Sequence, residues 1–548
     1  MKFSLRASFI ILIQFFAISL FAQPAIQWQK RFGGSQRDAG YSMCQTPDGG
    51  YIVSGWSNSN DDDFPDHHGT TAKTDGIVIK LDSAGNMQWK RSLGGSDNDG
   101  ATCLILAHGG GYILAGGSSS NDGDVAGDHH GAVGVSDGWI IKLDTNGNTL
   151  WAKSYGGTAE DDITRIVQSN DGGYVFAARS LSNDGDVTGH HGSTSNSDYW
   201  VVKIDSAGNI LWEKSLGGTA FDAPFALTAT DDSAYVLAGD CSSNDGVVTG
   251  NHGGSDIWVV KIDATGNILW ENSFGSSFNE DMNSVTLATD GGYIVGCSAY
   301  GTGGNITVHY GHNDEYDIWV FKLSRAGALV WQKSYGGNGR DYEQDVHATN
   351  DNGCLIAGYS TSNDIDVSGH HGDTTNYDAW VVKVDSLGTI EWQRSLGGTA
   401  MEGASSIIPT RDGGVAFAGN TQSGDGDLAN LSRAPLGNED GWIVKLAPLE
   451  SSTLVANGPI VERAFDIFPN PARSNVQLDL RGLAIGERAS AEVTDALGRT
   501  CLRIALTPGA ASANVPLDLS SLAAGAYIIR INNAGSESIA LKLLEVVK

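Results

Sequence analysis

The chain reads as an all-β protein: a β-propeller of seven four-stranded blades, followed by a small β-sandwich. Three observations carry this. Tryptophan recurs at Trp28, Trp89, Trp151, Trp212, Trp270, Trp331 and Trp392, at spacings of 61, 62, 61, 58, 61 and 61 residues, and a fixed period marks one supersecondary unit repeated. Within each period, glycine-bearing turns such as Asp290-Gly291-Gly292 separate β-branched and aromatic runs, and no run has the length or period of a helix. The ends of the array also complement each other. The last Asp440-to-Lys445 run lacks a following tryptophan strand, and the chain begins with an orphan one, Ile26 to Lys30. Pairing the two removes both exposed sheet edges and closes the ring.

The elements follow in order. Residues 1–22 place Lys2 and Arg6 before an apolar run from Phe9 to Phe21, the pattern of a secretory signal peptide rather than a membrane span. Residues 23–449 are the propeller. In its fifth unit, a strand near Ser284 to Thr289, a turn, and a strand from Tyr293 lead through a longer loop to Asp317-Ile318-Trp319-Val320-Phe321-Lys322, then a turn and Leu329-Val330-Trp331. The polar stretch 450–464 is a linker. Residues 465–548 form the second domain, several short strands split by Pro, Gly and Asn turns.

Charge divides the chain at the same place. From Phe465 onward eight acidic residues balance eight basic ones, so the net charge of −30 belongs to what precedes, as do all 14 tryptophans. An acidic surface argues against nucleic acid and anionic lipid and favours solubility or cation association. The six cysteines form no Cys-x-x-Cys pair; export permits disulfides, but a core this large accommodates them as buried thiols. No second segment could cross a bilayer, and the mature chain is expected to be monomeric.

The tail carries Phe468-Pro469-Asn470-Pro471-Ala472, then Val493-Thr494-Asp495-Ala496-Leu497-Gly498-Arg499, then Ala524-Gly525-Ala526-Tyr527 within a hydrophobic strand. It resembles the type A C-terminal sorting domain of the type IX secretion system of Bacteroidetes-type bacteria. The resemblance implies that Pro469, Asn470, Pro471, Gly498, Gly525 and Tyr527 form the sorting motif. It also implies that the secretion machinery is a partner, and that the tail routes cargo across the outer membrane before removal or exchange for a lipid anchor. The blades resemble the SBBP-type propeller repeat, which implies fold and little about activity. Lys261 to Trp270 is also similar to the tryptophan-docking motif of quinone-dependent propellers, where the motif locks neighbouring blades.

Three repeated polar sets need physical explanations. An acid follows each Gly-Gly turn: Asp38, Asp99, Asp161, Asp222, Glu280, Asp341 and Glu402. These should gather at one mouth of the central channel, either accepting amide hydrogens from the preceding turn or facing one another with raised pKa values. A second set, Asp75, Asp137, Asp198, Asp256, Asp317, Asp378 and Asp440, stands five residues before a lysine, which places the two on opposite strand faces. The third is an Asp/His loop containing Asp122, Asp124, Asp184, Asp186, Asp364 and Asp366; such loops hold nine of the 13 histidines. Asx-turns explain it, and calcium is the better of the metal readings.

Function should lie where repetition breaks. Five residues after the second-strand Tyr position, the units carry Trp56, Gly117, Arg179, Asp240, Ser298, Tyr359 and Asn420, and the fifth unit replaces its Asp/His loop with a segment including Tyr300, His309, Tyr310 and His312. Such a rim suits a glycan or a protein segment. The expectation is an exported binding module. The competing one is an extracellular enzyme acting on polysaccharide, a hydrolase or lyase, although no nucleophile elbow, His-Glu-x-x-His or phosphate loop is present and no catalytic residue is assigned.

Overall fold

The computed structural model describes residues 23–125, 130–132, 134–311, 315–431 and 439–449. In the C-terminal unit it describes 466–468, 475–479, 489–495, 500–506, 514–520, 522, 525–532 and 538–546. The leader 1–22, the linker 450–464, His312, and Pro469, Asn470, Pro471 and Gly498 of the sorting motif lie outside the described residues.

Seven four-stranded antiparallel sheets follow one another, each blade running from an inner first strand to an outer fourth. Blade 3 is representative: Asp161–Gln168, Tyr174–Ser180, Asp198–Ile204 and Ile210–Leu216. The closing blade takes its fourth strand from the other end of the chain, where Ile26–Phe32 pairs with Asp440–Leu446 and sets Lys30 opposite Ile443. Inner strands of successive blades neighbour one another around the ring, the seventh returning to the first. The ring thus closes blade on blade, and each blade keeps only its short outer fourth strand as an edge.

The spaced tryptophans sit at the start of each fourth strand and dock on the next blade. The Trp270 Nε1–H donates to the Arg325 carbonyl at 3.3 Å, and the Trp331 Nε1–H to Ser386 at 3.1 Å. The turn beneath must be glycine: at Gly327, with φ +80°, a Cβ would lie 2.9 Å from the Trp270 ring. A second tryptophan series, Trp139, Trp200, Trp258, Trp319, Trp380 and Trp442, is fully buried between blades. The first blade has Ile77 at this position. Trp258 donates to Glu271 at 2.8 Å within its own blade, so the indole N–H is satisfied where the ring is buried.

The third-strand lysines reach back to the turn between first and second strands. Lys80 meets Asp48 at 2.9 Å and Lys261 meets Asp232 at 2.7 Å. Blade 2 has Gly109 in place of that aspartate, and its Lys142 lies 5.8 Å from the centre of the Tyr174 ring. Cys103, Cys241, Cys297 and Cys354 are buried and Cys44 is partly buried, these five as free thiols, and Cys501 is exposed.

The C-terminal unit, residues 450–548, is separate from the first, residues 1–449. A sheet of Asp466–Phe468, Asn475–Asp479 and Asn514–Asp518 accompanies one of Thr500–Leu506, Ala489–Asp495, Gly525–Asn532 and Ser538–Val546. Val476, Leu478 and Leu517 from the first and Val493, Ile529 and Ile531 from the second share one core, the arrangement of a β-sandwich. Tyr527 is buried in it, and Gly525 opens the strand opposite Val546. Among the described residues, no helix is long and apolar enough to cross a membrane.

Candidate functional face

The loops between second and third strands and the turns between blades lie at one end of the strands and bind each other. In blade 3, Asp184 Oδ1 accepts the Thr158 N–H at 2.8 Å, and Asp186 Oδ2 accepts the Gly156 N–H at 3.3 Å. Asp122 takes the Ser96 amide at 2.7 Å, Asp124 the Gly94 amide at 3.4 Å, and Asp364 the Asn338 amide at 2.8 Å. The Asp366 N–H donates to Gly336 O at 3.1 Å. These loop aspartates therefore cap the inter-blade turns. Among the described residues, no three His, Cys, Asp or Glu side chains converge as a metal site.

Beneath the loops lie the seven acids that follow the Gly-Gly turns. Each is buried. Asp38 accepts the Gly34 N–H at 2.8 Å, Asp99 the Gly95 N–H at 2.7 Å, and Asp161 the Gly157 N–H at 2.7 Å. Asp222 takes Gly218 at 2.8 Å, Glu280 Ser276 at 3.0 Å, Asp341 Gly337 at 2.8 Å and Glu402 Gly398 at 2.8 Å. Serine hydroxyls complete most of these shells, as Ser182 does on Asp161 at 2.7 Å. The carboxylates thus turn into the blade junctions rather than toward one another across the channel.

Each meets a third-strand aspartate of the preceding blade. A Cβ at Gly217 would lie 2.7 Å from Asp222 Oδ2 and 2.9 Å from Asp198 Oδ1, so a bare glycine Cα fits between two carboxyls. The third-strand acids are held from the loop: Asp198 Oδ2 accepts the His191 N–H at 2.7 Å and lies 2.8 Å from His191 Nδ1 and 3.7 Å from His190 Nδ1. Burial pushes Asp99 up to about 6, Glu280 to about 7 and Asp317 to about 8, and the adjacent carboxylate adds to it in each case. Burial likewise raises Asp341 to about 7. The Asp/His loop is a structural network.

Above the network, the seven varied positions part company. Trp56 lies under the Arg37 guanidinium, 5.5 Å from its ring centre, at the edge of a cleft of about 420 Å³ that Asn58, Thr74, Asn98, Gly117 and Ser136 also line. Arg179 pairs with Glu160 at 3.2 Å and Asp162 at 3.1 Å. Asp240 accepts the Met282 N–H at 2.7 Å, and burial pushes it to about 8. Asn420 donates to Glu439 at 2.8 Å.

Tyr359 belongs to a cluster. Ring centres lie 4.3 Å apart for Tyr300 and Tyr316, 5.0 Å for Tyr316 and Tyr342, 5.1 Å for Tyr342 and Tyr359, and 5.0 Å for Tyr359 and Tyr377. All five tyrosines are half-buried. His309, expected at the rim, turns inward: its side chain is 3% exposed and its Nε2 lies 2.9 Å from Glu315 O, because it takes the place of the inner loop histidine of other blades. Tyr310 gives its N–H to Asp317 and keeps a partly exposed side chain. The sequence reading missed Tyr342 and Tyr377; lining up first-strand second positions and the residue before each third strand would have found them.

The fold and this face define a seven-bladed propeller joined to a second, small β domain. Residues 466–545 match the family model described as the secretion system C-terminal sorting domain. This segment is a type IX sorting domain, and the protein is exported to the cell surface or secreted through the outer membrane. Over 240 residues the chain is 26% identical to the regulatory protein FlaEY of Caulobacter vibrioides, a match spanning 42% of this chain and 25% of that protein. Among solved structures, PorZ of the type IX secretion system of Porphyromonas gingivalis is 11% identical, with a TM-score of 0.40, over 94% of this chain and 60% of the other. A fungal alcohol oxidase of the AA5 family in complex with copper is 12% identical, with a TM-score of 0.41, over 96% of this chain and 100% of the other.

Proposed function

We propose that the exported propeller is a binding module that engages an extracellular ligand on the face formed by the loops between second and third strands and the turns between blades. One observation carries this reading. The repeated polar residues are consumed by the scaffold, whereas seven equivalent second-strand positions hold Trp56, Gly117, Arg179, Asp240, Ser298, Tyr359 and Asn420, all partly exposed except the buried Ser298. In all seven blades the position stands opposite the second residue of the third strand, so backbone pairing demands no such variety. Diversity on a rigid repeated frame is how repeat scaffolds present a binding surface.

The net charge of −30 disfavours polyanionic ligands, leaving uncharged polymers and proteins as the class. The test compares the purified chain with a variant carrying Trp56→Gly, Arg179→Ser, Tyr359→Ser and Asn420→Ser on immobilised glycans and surface proteins. Binding by the parent and its loss in the variant is expected; equal binding by both overturns the assignment to this face. Release of reducing sugar or unsaturated products from a bound polymer, abolished in the same variant, would replace the binding module by the enzyme.

A further inference from the structure

We infer that Tyr300, Tyr316, Tyr342, Tyr359 and Tyr377 form a platform for an uncharged polysaccharide; this deepens, and rests on, the binding-module reading. The first argument is that the scaffold does not need them. Tyr342 occupies the second position of a first strand, where the other blades have Ala39, Gly100, Asp162, Ala223, Asp281 and Gly403. The place of Tyr316 and Tyr377, one residue before a third strand, is held elsewhere by Thr74, Ser136, Ser197, Ser255 and Glu439. Tyr300 follows its second strand, where the other blades have Asn58, Ser119, Leu181, Ser242, Thr361 and Gln422. Three positions that hold no aromatic residue elsewhere around the ring thus become tyrosine together, only in blades 5 and 6, and Tyr359 joins them from the varied position. Core packing met by glycine, alanine and serine in the other blades does not explain that coincidence.

The second argument is chemical. The rings approach edge-to-face for Tyr300 with Tyr316, at 82°, and tilted for Tyr342 with Tyr359, at 31°. The cluster therefore offers ring faces in several orientations on one half-buried surface. Phenol faces take the C–H face of a pyranose while hydroxyls at the rim hydrogen-bond its oxygens. Polar groups stand beside the rings, Asp281 near the Tyr316 hydroxyl and Arg340 near that of Tyr377. Burial holds the Tyr342 phenol up at about 12, and burial together with Asp281 raises Tyr316, so these two phenols stay protonated and able to donate. Carboxylate and guanidinium both hydrogen-bond sugar hydroxyls, while the net charge of −30 disfavours polyuronates.

The experiment uses the full chain on an array of neutral α- and β-linked gluco-, xylo- and manno-oligosaccharides beside polyuronates. Affinities are measured for the parent, Tyr342→Ala with Tyr359→Ala, and Tyr316→Phe with Tyr377→Phe, with near-ultraviolet circular dichroism and thermal midpoint confirming the fold. The expected result is binding confined to neutral chains, weakened at least tenfold by the alanine pair and less by the phenylalanine pair. Neutral-chain binding that the alanine pair leaves unchanged, as well as preference for polyuronates, overturns the platform while the binding module stands. Retention of protein ligands alone does the same. Absence of every ligand from the parent overturns both.

Discussion

In blade 3, Asp171 lies half exposed in the turn between first and second strands, 2.5 Å from Lys203. At the other end of the same strand Asp161 is fully buried and is held by amide and hydroxyl donors with no cation beside it. The first is pulled down to about 2, chiefly by the Lys203 ammonium and then by the Ser169 hydroxyl. The second is raised, because burial outweighs its hydrogen bonds. The same type of side chain thus titrates in opposite directions at the start of one strand and in the turn beyond its end, and the two ends of the propeller are held by different means. The hairpin end relies on tryptophan docking with ion pairs as trim. The loop end relies on buried polar networks that need their acceptors and, at several junctions, a proton.

The largest effect should come from breaking the docking at the hairpin end. Gly327→Val places a branched side chain at φ +80° and a Cβ 2.9 Å from the Trp270 ring, and is expected to destabilise by roughly 2–5 kcal/mol in denaturant unfolding. An unchanged midpoint would show that docking is incidental. Next, Asp161→Ala strands the Gly157 N–H and the Ser182 hydroxyl in the junction, for a loss of roughly 2–4 kcal/mol; a loss no larger than that of a surface substitution would remove the polar network from the account.

The pH response sharpens the contrast. Asp99 at about 6, Glu280 and Asp341 at about 7 and Asp317 at about 8 bind protons more tightly folded than unfolded. Their contribution is complete below the ordinary carboxylate value near 4 and is lost as pH rises through about 6 to 8. Asp171 behaves oppositely, contributing above that value and losing its contribution as pH falls toward about 2. The thermal midpoint should therefore fall between about pH 5.5 and 8.5, and Asp317→Asn should flatten that slope. A midpoint that rises over this range contradicts the buried pairs. The smallest effect belongs to Lys203→Met, expected at about 0–1 kcal/mol because the pair is open to water on its acidic side; a loss matching Asp161→Ala would erase the distinction between the ends.

Much of this was legible along the chain. Period and turn chemistry give the blade, the unmatched strands at Ile26 and Asp440 give closure, and the Asp290-type turns mark the hairpins, since these are local properties with fixed spacing. The odd spacing of Asp198 and Lys203 rules out an intrastrand pair. The actual partner, Asp171, stands 32 residues before the lysine, a register that only the folded sheet supplies. Likewise the acids after the Gly-Gly turns read as a channel-mouth ring, because a first-strand start points there; burial at the junction depends on the neighbouring blade.

The sequence by itself therefore determined the number of blades, their closure, the sorting tail and the face on which the units disagree, all consequences of short-range pattern and repetition. The tertiary structure decided which acids meet, which oxygens receive amides, and that Tyr300, Tyr316, Tyr342, Tyr359 and Tyr377, drawn from two blades and four positions of the repeat, touch at all. The physical reason is that ring closure sets distant residues side by side by geometry, and contact distance and burial, which fix pKa and recognition, are not functions of separation along the chain.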